Sequence, residues 1–300
     1  MAVKKVSVII NGVETELAYN SATGKYEKQL TAPQKSSYNM NSGHYCPINV
    51  KAEDTAGNTA TLNDADTTLG KFDVNESVAP ASTITYPTEG QRLVNARPTV
   101  TWTVTDNDSG VNPNTIGITI DNGSKVTSGI TKTAITGGYS CTYPIPAALA
   151  EGSHAIKVDA QDNDGNNAVQ RLVNITVDTV PPQLSVTSPV QNLVTKTAAL
   201  AVTGTTDDMT SKPCTVTVKV NSGAAQTVSV GSNGAFSTNI TLAEGSNTIT
   251  VVSTDKAGKN TTVIRTVVLD TVAPVIGVVE LSKNPVSTGE TFTISVTVTD

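Results

Sequence analysis

The sequence predicts an all-β protein built from tandem β-sandwiches. Three observations carry this. First, Val, Ile and Thr alternate with small polar residues, as in "PTVTWTVTD" (98–106) and "TFTISVTVTD" (291–300). Alternation of period two puts apolar side chains on one face of a strand and polar ones on the other. Second, long helix-period runs are absent, and charged residues make up only 15% of the chain. Third, one phrase recurs: "VKAEDTAGN" (50–58), "VDAQDNDGNN" (158–167) and "VVSTDKAGKN" (251–260). Such self-similarity marks one supersecondary unit used repeatedly.

Each copy of the phrase reads as strand, D-x-x-G turn, strand. Gly57, Gly165 and Gly258 are expected at positive φ, which the tight turn needs. After each second strand comes a junction: "ESVAP" (76–80), "DTVPP" (178–182) and "DTVAP" (270–274). Proline there ends strand pairing and stiffens the hand-over. The junction prolines recur about every hundred residues, the size of an immunoglobulin-like sandwich. The expected divisions are 1–76, 77–180, 181–273 and 274–300. In the second unit strand A is "STITYP", B "TVTWTVTD", C "TIGITID", E near "YSCTYPI", F "HAIKVDAQ" and G "QRLVNITVD". The third runs from "QLSVTSP" through "LAVTG", "TVTVKV", "QTVSV", "FSTNITL" and "NTITVVST" to "TVIRTVVLD". Trp102, the only Trp, falls in strand B and is expected in the core.

Composition excludes several classes. Net charge is −6, with no basic block, so direct nucleic-acid contact is not expected. No stretch approaches the ~20 apolar residues that span a bilayer. The opening "MAVKKVSVIINGVETELAYN" reads as a strand turning at Asn11-Gly12, not as a signal peptide. Synthesis in the cytoplasm without a standard export signal is the expectation. Cys46, Cys141 and Cys214 fall one per repeat and are expected as free, buried thiols.

The A-x-D-x-x-G-N turn followed by D-T-x-x-P resembles bacterial immunoglobulin-like repeat proteins. The hairpin at 10–33, the phrase "DNDSGVNPNTIGITIDNGSKVTSGITKTAITGGY" (106–139) and the ending at 291–300 are most similar to immunoglobulin-like proteins encoded among the tail genes of phages of Gram-positive bacteria. The resemblance implies a structural role in a virion, assembled in the host cytoplasm. It also occurs in cell-surface adhesins, which is the alternative.

A shift of 210 residues lays "VSVIINGVETELAYNSATGKY" (6–26) on "VTVKVNSGAAQTVSVGSNGAF" (216–236) without a gap. Val6, Val8 and Ile10 fall on Val216, Val218 and Val220. The first unit is therefore expected to open at strand C, without A and B. Residues 274–300 read as an A–B pair, with Val298-Thr299-Asp300 lying on Val104-Thr105-Asp106. An exposed strand B, with Phe292, Ile294, Val296 and Val298, is an aggregation hazard unless something covers it. The expected assembly interface joins those four side chains to Val6, Val8 and Ile10 by strand addition between copies, head to tail. A different partner, such as another tail protein, and a longer natural chain are the alternatives.

Sites for chemistry are few. His44 and His154 both precede strand F, where the third unit has Asn247, and read as polar strand-entry residues. No catalytic residues and no organic cofactor are expected. Asp106, Asp108, Asp162 and Asp164 cluster near turns and could hold Ca²⁺. Lys256 and Lys259 in the corresponding turn of the third unit argue against it, so turn-capping aspartates are the preferred reading. The expectation is a non-enzymatic structural protein that spaces, decorates or weakly attaches to host-surface glycans.

Overall fold

Every regular element among the described residues is a β-strand, as the alternation requires. The computed structural model describes residues 2–65 and 71–300, so residues 66–70 of the first expected unit lie outside the described residues. The chain divides into two compact units, one ending at Val177 and one starting at Asp178. The first unit therefore holds both the first sheet and the second sandwich.

The first sheet contains β1 (Val3–Ile10), β2 (Val13–Asn20), β3 (Lys25–Glu27), β4 (Ile48–Asp54) and β5 (Thr59–Leu62), in the order β3-β2-β1-β4-β5. Asn11-Gly12 makes the tight turn, with φ of 46° and 81°. This is a C–F–G sheet extended by the β2–β3 hairpin. No second sheet lies across it among the described residues, and only Cys46 and Val74 are buried apolar side chains there.

The second sandwich contains β6 (Ala81–Tyr86), β7 (Arg92–Leu93), β8 (Thr99–Thr105), β9 (Val111–Ile120), β10 (Thr131–Ile135), β11 (Gly138–Pro144), β12 (Gly152–Asp162) and β13 (Arg171–Val177). Its sheets run β10-β11-β8-β6 and β7-β13-β12-β9. Every second residue of β8 and β12 points inward, so Val100, Trp102, Val104, Ile156 and Val158 meet in one core. Backbone and side-chain bonds tie the first sheet's loops to this sandwich. The amide of Ser36 donates to the Asp108 carboxylate, and Asn39 donates to the Asp108 carbonyl.

In the second unit, β14 (Gln183–Ser188), β15 (Leu193–Thr195), β16 (Ala199–Asp207), β17 (Thr215–Val220), β18 (Gln226–Val228), β19 (Ala235–Thr241), β20 (Gly245–Thr254) and β21 (Asn260–Leu269) repeat the plan. The sheets run β14-β16-β19 and β15-β21-β20-β17-β18 around a core of Val202, Val216, Ile249, Val251 and Val267. In both sandwiches the A strand crosses between sheets: β7 and β15 run parallel to β13 and β21. The chain then forms a separate hairpin of β22 (Val275–Leu281) and β23 (Ile294–Thr299). Phe292 lies outside β23, in the connector.

The register supports laying β1 on β17. Val6, Val8 and Ile10 face Ala52, Val50 and Ile48, while Val216, Val218 and Val220 face Ser253, Val251 and Ile249. One equivalence differs from the sequence reading. The same register places Cys46, not His44, opposite the position of Asn247. His44 lies in the preceding loop, its ring stacked on Tyr38 with centroids 4.0 Å apart.

Candidate functional site

Three strand ends converge at the entry to each sandwich, and each brings one acid. In the second sandwich these are Glu76 in the linker before β6, Asp106 after β8 and Asp162 at the end of β12. One carboxylate oxygen of each lies within 4.8 Å of the others. In the third, Asp178 before β14, Asp208 after β16 and Asp255 after β20 gather within the same 4.8 Å. Glu76 corresponds to Asp178, Asp106 to Asp208 and Asp162 to Asp255.

The local chain explains why these acids turn inward. The D-x-x-G glycines adopt φ near +90° (Gly57 88°, Gly165 91°, Gly258 89°), folding the backbone over the carboxylate. Asp162 Oδ1 accepts the Asn166 amide at 2.8 Å, and Asp255 Oδ1 accepts the Lys259 amide at 2.9 Å. Asp106 Oδ1 accepts the Asp108 and Gly110 amides, while Asp208 Oδ1 accepts those of Thr210 and Ser211. The two triads differ in how the other oxygens are met. Asn166 Nδ2 donates to Asp162 Oδ2 at 2.7 Å, but Lys259 replaces Asn166 in the third sandwich. Asp178 Oδ2 and Asp255 Oδ2 are buried and accept no hydrogen bond. In the first triad, burial foremost and then the charges of Asp106 and Asp108 push the Glu76 carboxyl above its ordinary range, against hydrogen bonds from Ser109.

Of the four aspartates the sequence offered for a metal, the structure brings together only Asp106 and Asp162. Asp108 accepts the Ser36 amide, and Asp164 accepts the Glu76 amide at 2.9 Å. Sequence reasoning missed Glu76, Asp178, Asp208 and Asp255. The available signal was an acid at three separate strand ends, recurring in both repeats.

The strand faces form a second candidate site. Val6, Val8 and Ile10 are only half-buried, whereas their counterparts Val216 and Val218 are 0% and 2% exposed. Ile294, Val296 and Val298 are 57%, 48% and 57% exposed, whereas Val100, Trp102 and Val104 at matching positions of β8 are 0%, 1% and 0% exposed. Strand β8 pairs with β6 and β11; β23 pairs with β22 and, among the described residues, with no second strand.

The histidines are committed elsewhere. His154 Nδ1 meets Asp121 at 2.9 Å and Nε2 meets the Ala150 carbonyl at 2.8 Å, so both ring nitrogens are used. Asn221 and Asn247 make the corresponding tie in the third sandwich. The three cysteines are free and buried, and burial pushes the Cys141 thiol up to about 11.

Residues 80–158 match the family model described as Bacterial Ig domain, and residues 182–271 match Glucodextranase, domain B. The fold is a tandem of Ig-like β-sandwiches. Bacillopeptidase F of Bacillus subtilis (strain 168) is 32% identical over 143 residues, covering 48% of this chain and 9% of that protein. The chain thus spans less than a tenth of the length of this curated relative. Among solved structures, the fibronectin(III)-like modules of Clostridium thermocellum CbhA align over 63% of this chain and 93% of theirs, with 17% identity and a TM-score of 0.38. Titin domains A168-A170 align over 87% of this chain and 85% of theirs, with 12% identity and a TM-score of 0.40.

Proposed function

We propose that the chain is a non-enzymatic structural segment of a surface-exposed protein. Ig-like sandwiches act as spacers, and strand complementation joins one molecule to the next. The observation that carries this reading is a matched pair of uncovered surfaces. The first sheet has C, F and G strands with a half-open apolar face, and the β22–β23 hairpin has A and B strands with every residue exposed.

The partner is a second copy. Its β23 lies against Val6, Val8 and Ile10 and pairs with residues 25–31, which correspond to β19 but make no ladder with a B strand here. Asp54 occupies the position of Asp162 and Asp255, while Asp270 and Asp300 occupy those of Asp178 and Asp208. Complementation therefore rebuilds a third acidic triad as well as a core. Covering the four large side chains of the hairpin contributes roughly 1.5–3 kcal/mol each, before the cost of ordering two molecules is subtracted. The contact is heterologous and produces a ring or a filament.

The match to a bacterial Ig family and the likeness to Bacillopeptidase F support a bacterial cell-surface or secreted setting. A second reading is a phage virion, supported by the resemblance of residues 10–33, 106–139 and 291–300 to phage tail proteins. Antibody labelling of intact cells against purified virions separates the two settings. The assembly itself is tested by light scattering after size exclusion, comparing the full chain with one ending at Val272. Concentration-dependent assembly of the full chain only, blocked by a free 274–300 peptide, is the expected result. Two monomers of equal stability overturn complementation between copies.

A further inference from the structure

We propose that Asp178, Asp208 and Asp255 form a binding site for a hard divalent cation, calcium in the first place, at the entry to the third sandwich. Glu76, Asp106 and Asp162 form its counterpart in the second sandwich. Asp178, Asp208 and Asp255 are 0%, 5% and 7% exposed, and an oxygen of each lies within 4.8 Å of the others. Three carboxylate oxygens this close and out of water leave a pocket of oxygens that a cation would fill.

No lysine, arginine or histidine of the described residues makes an ion pair with the triad, and Lys212 reaches Asp208 only through a longer-range coulombic pull. Lys212, on the same loop, pairs with Asp207 at 2.7 Å and stays exposed. Lys256 is exposed, and neither it nor Lys259 makes an ion pair with the triad. Contrary to the expectation from sequence, these lysines leave room for a cation: the Lys259 backbone builds the turn, and neither side chain pairs with the triad.

Backbone amides already donate to Asp178 Oδ1, Asp208 Oδ1 and Asp255 Oδ1. What is left over is Asp178 Oδ2 and Asp255 Oδ2, both buried and unpartnered. Buried polar atoms in native proteins find partners, so a pair of orphan carboxylate oxygens in a triad points to a ligand that takes oxygen. Ser211 Oγ is a further buried oxygen without a partner, on a residue whose amide bonds Asp208. All-oxygen donors in an irregular loop suit calcium, which accepts six to eight oxygens in flexible geometry; magnesium demands a near-ideal octahedron. The triad recurs at equivalent positions of two sandwiches that differ at most other surface positions, which a chance cluster of surface acids does not do.

The test uses the full chain, stripped with EGTA, in calorimetric titration and thermal unfolding. Calcium chloride should bind with two equivalents and a Kd of about 10⁻⁴ to 10⁻³ M. At several millimolar it should raise Tm by roughly 5 °C. Magnesium chloride should shift Tm less, and potassium chloride of equal ionic strength should not shift it. Asp255→Asn keeps an oxygen for the Lys259 amide and removes one charge. This variant should melt higher than its parent in EGTA and bind one equivalent instead of two. The double variant with Asp162→Asn should lose the calcium response while keeping its far-ultraviolet dichroism. The proposal is overturned if calcium produces neither heat nor a Tm shift in the parent, or if the response survives in the double variant. An equal magnesium shift overturns the calcium preference. All titrations use the full chain carrying Val296→Asp, which keeps it from assembling, because complementation would add the Asp54, Asp270 and Asp300 triad as a third site.

Discussion

His154 and Asp121 show how a single pair can be charged without being catalytic. Burial pulls the His154 pKa down, but the Ala150 carbonyl and the Asp121 carboxylate outweigh it, and the net direction is up. Burial raises Asp121, yet the His154 and Ala155 contacts leave it lowered. A raised histidine stabilises fully below about pH 6.5, its unfolded value, and the contribution fades as pH rises through the folded value. A lowered aspartate stabilises above about pH 4 and loses that contribution as pH falls. The pair therefore supports the fold most between those limits. His154→Asn copies the third sandwich, so the Tm difference from wild type should be larger at pH 5.5 than at pH 8.5. Asp121 is 45% exposed, so the pH-dependent part should be small, about 0.5 kcal/mol. A difference that does not change with pH removes the ion pair from the account. Gly204 offers a sterically defined test. A Cβ there would overlap the Ser185 carbonyl oxygen and the Phe236 ring. Gly204→Ala should cost about 1–3 kcal/mol in urea unfolding; a neutral result would mean the β14–β16 contact is looser than described.

At the level of elements, the strands with sustained alternation were legible and the short ones were not. Strands β8, β12, β16 and β20 alternate over seven or more residues, and the sequence reading placed all four. Strands β7 and β15 have two and three residues, too few for a period, and exist because the A strand crosses to the opposite sheet. The hairpin β22–β23 was legible as a strand pair, but its consequence depends on exposure. Val296→Asp places a charge on the face that corresponds to Trp102. It should abolish assembly of the full chain and leave the Tm of the two sandwiches within about 1 °C, because surface changes away from the core are nearly neutral. Assembly that survives this change argues against β23 as the donor strand.

For the whole molecule, each compact unit has its own core, the second sandwich around Trp102 and the third around Ile249 and Val251. Trp102 is the sole tryptophan and is 1% exposed, so its fluorescence reports one sandwich alone. Urea unfolding followed by fluorescence should give one transition, while far-ultraviolet dichroism gives two. Coincident transitions by both probes would mean that the units unfold together.

The sequence by itself determined the strands, the repeat, the turn glycines and the inward face of each long strand. These follow from period-two patterning and backbone sterics, which are local. Only the tertiary structure decided which acids meet. Glu76 and Asp162 are 86 positions apart, and Asp178 and Asp255 are 77 apart. Neither pair has a spacing rule, because the sandwich brings the A, B and F strand ends together through two sheets. Burial was likewise invisible in the sequence. The same alternating pattern is fully covered in β8 and fully exposed in β23, and what differs is whether a second sheet lies across it.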